Sequence, residues 1–194
     1  MIVLGLDPGT RATGYGVVEQ DAPEPGGRRL VECGVLRTDG GAPLEQRLAQ
    51  IFDGVSDLIA RHRPAAVAVE SVFVARNARS AVVLGHARGA ALLAAAKAAV
   101  PVAEYAPAMV KKTVVGAGAA TKQQVQRMTA RLLRLSTVPT PDDAADGVAI
   151  ALTHCMRSAR TFRRAVVLAP GRNRAGGASE ESRPDQPPSG AVVA

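Results

Sequence analysis

Asp7, Glu70, Asp143 and Asp146 are the side chains whose types and placing point to chemistry in this sequence. The first two each end an apolar run: Met1-Ile2-Val3-Leu4-Gly5-Leu6 stops at Asp7-Pro8-Gly9, and Ala65-Ala66-Val67-Ala68-Val69 stops at Glu70. Such runs read as buried strands. A carboxylate closing a buried strand needs a partner, because an unpaired buried charge costs on the order of several kcal/mol. For Asp7 the simple alternative is a turn in which the carboxylate bonds its own Asp-Pro-Gly backbone. Asp142 and Asp143 follow Thr140-Pro141 at the start of a helix, where capping and the helix dipole account for them. Asp146 lies past that first turn, with Gly147, Ile150 and Leu152 after it, and capping does not account for it. Asp143 and Asp146 are three apart, share a helix face and repel each other without a counter-ion. Four carboxylates meeting at one point demand divalent cations, and an all-oxygen donor set without Cys or a well-placed His favours Mg²⁺ or Mn²⁺. Two such ions would activate a water and steady the leaving oxygen in phosphodiester hydrolysis.

The elements that must gather these acids open with three antiparallel strands: the first run, then Thr13 to Glu19, then Arg29 to Arg37 behind a Pro- and Gly-rich hairpin loop at 21–27. Leu44, Leu48, Ile51, Phe52, Val55, Leu58 and Ile59 follow at three-and-four spacing, which lays the apolar stripe of a helix on a sheet. Arg61-His62-Arg63-Pro64 ends that helix, and His62 reads as part of the cap. The strand ending at Glu70 leads into a loop and a long helix over about 78–99, rich in Ala, Gly and Leu, whose Gly85 and Gly89 invite close approach by the sheet or by a partner subunit. Pro101 to Tyr105 is a fifth strand, Pro107 starts a short helix through Lys111 and Lys112, and Thr121 caps another whose polar face is basic. If the first and fourth strands are neighbours, Asp7 and Glu70 emerge on one edge, where a docking helix adds Asp143 and Asp146.

The 194 residues suffice for one compact domain. Only 3 % are aromatic, so the core must be built from Val, Leu, Ile and Ala. The net charge is +7 and is unevenly spread: between Ser71 and Pro141 ten basic residues stand against the single acid Glu104. A basic half bounded by acids suits a polyanion gripped on one side and cut at the edge. Cys33 and Cys155 are too few for a zinc site or a disulfide framework and read as small buried hydrophobes. No signal peptide or membrane span fits, so a cytoplasmic protein is expected. From Ala169 no apolar period survives, and residues 169–194 read as a disordered Pro/Gly/Arg-rich tail behind a nuclease domain at 1–168.

Five blocks in order and at suitable spacing closely resemble the RuvC family of bacterial Holliday-junction resolvases: Leu4-Gly5-Leu6-Asp7-Pro8-Gly9-Thr10, Val69-Glu70-Ser71-Val72-Phe73, Leu84-Gly85-His86-Ala87-Arg88-Gly89, Val110-Lys111-Lys112-Thr113-Val114-Val115-Gly116, and Asp143 through Ala151. The resemblance covers about residues 1–165. It implies an α/β, ribonuclease-H-like mixed sheet, three antiparallel strands followed by parallel ones, with helices on both faces. It further implies a homodimer that nicks four-way DNA junctions in pairs, with two Mg²⁺ per site and Mn²⁺ as a substitute, alongside branch-migration motor proteins of the RuvA and RuvB type. The catalytic, metal-holding carboxylates fall on Asp7, Glu70, Asp143 and Asp146; some relatives carry His at the third position. Phe73 matches an aromatic that stacks on a junction base. Lys111 and Lys122 match basic residues near the scissile phosphate, and Arg76 and Lys112, in the same basic stretch, join them as DNA contacts. The helix at 78–99 matches the dimer contact.

Three other readings compete. Sugar-kinase and actin-like ATPases share a strand ending Leu-Gly-Leu-Asp, but they need two such lobes and this chain has length for one. A related RNA-processing nuclease and a junction-binding module without catalysis are the others.

Overall fold

The computed structural model describes residues 1–20, 27–71 and 78–168, with backbone alone at 78–79 and 159–168. Phe73, Arg76, most of the 21–27 loop and the tail from Ala169 lie outside the described residues. Five strands form one sheet: β1 (Ile2–Asp7), β2 (Ala12–Gln20), β3 (Arg28–Arg37), β4 (Ala66–Glu70) and β5 (Val102–Tyr105), in the spatial order β3-β2-β1-β4-β5. β1, β2 and β3 pair antiparallel, whereas β4 runs parallel to β1 and β5 parallel to β4. The expected mixed sheet is therefore present, with β1 at its centre.

Helices cover both faces because the strands alternate. Leu4, Leu6, Val17, Val67 and Val69 face α1 (Leu44–His62) and α2 (Ala78–Lys97), meeting Ile51, Val55, Leu58 and a small-residue row of Ala87, Ala91, Ala94 and Ala95. Val3, Val18 and Ala68 face the other way, against Val110 and Val114 of α3 (Pro107–Val115), Val125 of α4 (Lys122–Leu132) and Val148 to Leu152 of α5 (Asp142–Leu168). By the two-residue period of a strand, Asp7 and Glu70 belong to this second face.

Several expectations need correction. Thr140 and Pro141 are not the cap and first turn of α5: the helix begins at Asp142, and the Pro141 carbonyl takes the Ala144 and Ala145 amides. His62 does sit in the last turn of α1, but its Nε2 also bonds Glu32 Oε2 at 2.9 Å, which ties the helix end to β3. Cys155 is buried but Cys33 only partly so; both are free thiols. Gly85 and Gly89 do not meet the sheet, since a Cβ on either would have nothing within 4 Å.

A seam of glycines sets how deeply α5 lies on the sheet. A Cβ on Gly16 would stand 2.5 Å from Val148 Cα, and one on Gly147 would stand 2.6 Å from the Tyr15 backbone. At Gly5 it would overlap the Gly147 carbonyl, and at Gly14 the Asp143 carbonyl. Real side chains never approach so closely, so backbone rests on backbone, as glycine permits.

Candidate active site

Register places the first two acids. Leu6 pairs with Val69 across the parallel β1–β4 ladder, so the next residues, Asp7 and Glu70, emerge side by side at the carboxyl ends of the two strands. That is where open α/β sheets bind ligands. The turn after Asp7 is closed by Thr13, whose hydroxyl donates to the Gly9 carbonyl at 3.0 Å and accepts from the Gly9 amide at 3.4 Å. The Asp7 carboxylate is thus not spent on its own turn; it hydrogen-bonds Glu70.

α5 brings the third acid. Asp146 lines one cleft with Asp7, Glu70, Lys111 and Lys122, an opening of about 250 Å³ floored by Ala149 and Ile150. Asp143 is near enough to act electrostatically on Asp7 and Asp146, yet it does not line the cleft. The four acids are brought to one end of the sheet as expected, with Asp143 on the rim. Lys112 is exposed on α3 and also stands off the cleft wall.

The charges do not balance. Burial pushes the Asp7 carboxyl up, with the negative charges of Asp146 and Asp143 adding to it against the Glu70 hydrogen bond and Lys122. Glu70 is raised to about 8, by burial first and then by the charge of Asp7, whose carboxylate accepts the proton Glu70 retains; Lys111 opposes this. Asp146 is raised by burial, against the pull of Lys122. Two carboxyls share a proton and the third leans on an ammonium, the ordinary solution when like charges crowd a poorly hydrated site.

Among the described residues no three His, Cys, Asp or Glu side chains stand gathered so as to hold a metal ion. The chemistry of the donors nevertheless fits one. They are all hard oxygens, their pKa values are held up by burial first and by one another's negative charge after it, and the Lys122 ammonium beside Asp146 supplies only part of the positive charge that a divalent ion would bring.

Some of the site was not foreseen. Arg88, from the basic stretch, is paired with Glu104 at 2.5 Å. Asp142 accepts from Gln126 Nε2 at 3.2 Å, so α4 is clasped to the first turn of α5. Tyr105, lateral to Glu70 in the β4–β5 register, meets His154 Nδ1 at 2.9 Å and ties β5 to α5; burial lowers the pKa of that imidazole. The glycine seam was in plain view as Gly5, Gly14, Gly16 and Gly147, but only the facing backbone gives it meaning.

A mixed five-stranded sheet whose central parallel strands end in acids, completed by an acid from a helix laid across it, defines a nuclease of the ribonuclease-H-like class. The family model described as "Crossover junction endodeoxyribonuclease RuvC" matches residues 3–154. A curated protein of that name from Halorhodospira halophila is 55 % identical over 152 residues, covering 78 % of this chain and 88 % of its own. Among solved structures, Thermus thermophilus RuvC superposes with a TM-score of 0.77 at 38 % identity, covering 83 % of this chain and 97 % of that one. T. thermophilus RuvC in complex with its Holliday junction substrate matches with the same score at 39 % identity, covering 83 % and 96 %. The chain belongs to the RuvC family of crossover junction endodeoxyribonucleases.

Proposed function

We propose that this chain resolves four-way DNA junctions by metal-dependent nicking of two strands, as a homodimer acting in recombination and repair. The observation that carries the reading is the single cleft in which Asp7, Glu70 and Asp146 face Lys111 and Lys122. Asp7, Glu70 and Asp146, with Asp143 at the rim, would hold a pair of Mg²⁺ ions, or Mn²⁺ in their place. When bound, the ions supply Lewis acidity toward the attacking water and the leaving oxygen. The protein's part is to hold four acids at fixed separation, to give up the proton shared by Asp7 and Glu70, and to set two ammonium groups where the scissile phosphate arrives.

Lys111, Lys112, Lys122 and Arg76 would grip phosphates, and Phe73, three residues beyond Glu70, would stack on a junction base. The complex of the Thermus relative with a Holliday junction supports that substrate. For the homodimer the support is α2: Val82 is 58 % and Leu93 55 % exposed on the same side as Gly85 and Gly89. An isologous contact there would present two active sites to a two-fold junction, as paired cuts require. Cooperation with RuvA- and RuvB-type motors, a cytoplasmic location and a domain limit at 168 belong to the same reading. Among the described residues no helix is long and apolar enough to cross a membrane.

The test is incubation with linear, forked and four-way DNA, with and without Mg²⁺, beside Asp7→Asn. Metal-dependent symmetric nicks confined to the four-way substrate, lost in the variant while junction binding persists, are expected. Cutting by the variant at the parent rate would remove the catalytic assignment.

A further inference from the structure

Lys122 stands between two acids of α5, its Nζ 2.8 Å from Asp146 Oδ2 and 3.5 Å from Asp142 Oδ2. The acids are four apart on one helix face, and they differ in setting: the Asp146 side chain is 30 % exposed in the cleft, that of Asp142 74 % exposed outside it. The base of Lys122 is anchored. It is the first residue of α4, behind a capping box in which Gln124 Oε1 accepts from the Thr121 amide at 2.8 Å and Thr121 Oγ1 from the Gln124 amide at 3.3 Å. Asp142 is anchored as well, by Gln126. A lysine with a fixed root and two acceptors at different depths has two places for its ammonium.

We infer that Lys122 is the resident counter-cation of the carboxylate cluster, displaced by the incoming divalent ion from Asp146 onto Asp142. The inference rests on the metal-holding role assigned to Asp146 above. A divalent ion on Asp146 and an ammonium at 2.8 Å from the same carboxylate repel each other. Outward motion relieves this, and Asp142 gives the ammonium a partner at the rim. Lys122 thus competes with the metal while the cleft is empty of DNA, and it is left beside the site, still charged, when a phosphate approaches. Asp142, which capping alone would explain, becomes the acceptor that makes displacement cheap.

The experiment is a Mn²⁺ titration of the full chain without DNA, followed calorimetrically and by electron paramagnetic resonance at low ionic strength. Lys122→Met and Lys122→Gln are expected to bind Mn²⁺ about three- to tenfold more tightly than the parent, as loss of a competing, partly exposed ion pair predicts. Asp142→Asn is expected to weaken Mn²⁺ binding in the parent background and to have a much smaller effect in the Lys122→Met background. Saturable binding in the parent that both Lys122 variants, folded by circular dichroism, leave unchanged or weaken overturns the inference alone. An undiminished Asp142→Asn effect in the Lys122→Met background removes the role of Asp142. No saturable binding by the parent or the Lys122 variants overturns the metal-site reading and this inference with it.

Discussion

Gly14 of β2 and Asp143 of α5 are in backbone contact: a Cβ on the glycine would overlap the aspartate's carbonyl. The sheet and the helix that carry the acids are therefore separated by main chain alone at this point. Gly14 is also the cross-strand partner of Asp7, so one residue sets the spacing between acids that lie far apart in sequence.

Gly14→Ala is expected to lift α5 off the sheet, destabilise the protein by about 1–3 kcal/mol and abolish cleavage, since overpacking against backbone finds nothing soft to yield. Gly40→Ala is the control: a Cβ there, in the turn before α1, meets nothing within 4 Å, so stability and cleavage should stay near those of the parent. Urea unfolding of the two variants, with junction cleavage, checks both halves.

Asp7→Asn is expected to trade activity for stability. The fold disfavours the ionised carboxylate of Asp7, through burial and then Asp146, so a neutral isostere relieves the metal-free protein. Its Tm at pH 7 should rise by about 2–6 °C while cutting is lost. In saturating Mg²⁺ the order should reverse, because only the parent gains stability by binding. Differential scanning calorimetry with and without Mg²⁺ reads this directly.

Glu32 supplies a pH dependence far from the cleft. Burial alone would raise its pKa, but the Tyr15 hydroxyl at 2.7 Å, His62 at 2.9 Å and Arg61 at 3.2 Å outweigh it and hold the carboxyl below its ordinary 4.5. The folded chain thus favours the charged form. Its stabilising contribution is complete above the unfolded-chain value and is lost as pH falls through the lower, folded one. Glu32→Gln should lower Tm at pH 7, and the gap to the parent should close on acidification; a gap independent of pH would contradict the assignment.

Leu93→Asp is expected to leave the fold intact, because the side chain is 55 % exposed, and to break the proposed dimer. Analytical ultracentrifugation should show a monomer. Cleavage of a cruciform plasmid should shift from linear product toward singly nicked circles, since two active sites would no longer act within one complex.

Much of this protein was legible before any fold was in hand. Apolar runs ending in Asp7 and Glu70, the three-and-four spacing of Leu48 to Ile59 and the capping signal at Thr121 each encode local geometry, and each element appeared within a few residues of its expected place. Those signals lie between residues near in sequence, where backbone sterics and burial of one face dictate the pattern. The Asp-Pro-Gly sequence, by contrast, allowed two fates for its carboxylate, and only the neighbouring strand decided between them.

The amino-acid sequence by itself determined where most strands and helices lie, the apolar stripe of α1, and that acids cap the two central strands. Only the tertiary structure decided that Asp146 enters the cleft while Asp143 stays at its rim, that Lys122 reaches Asp146, and that Gly5, Gly14, Gly16 and Gly147 form one seam. The reason is physical: periodicity tells a side chain which way to face, but the distance between two faces depends on what fills the gap. Here the gap is filled by the absence of side chains, a property whose consequence exists only once both surfaces have met.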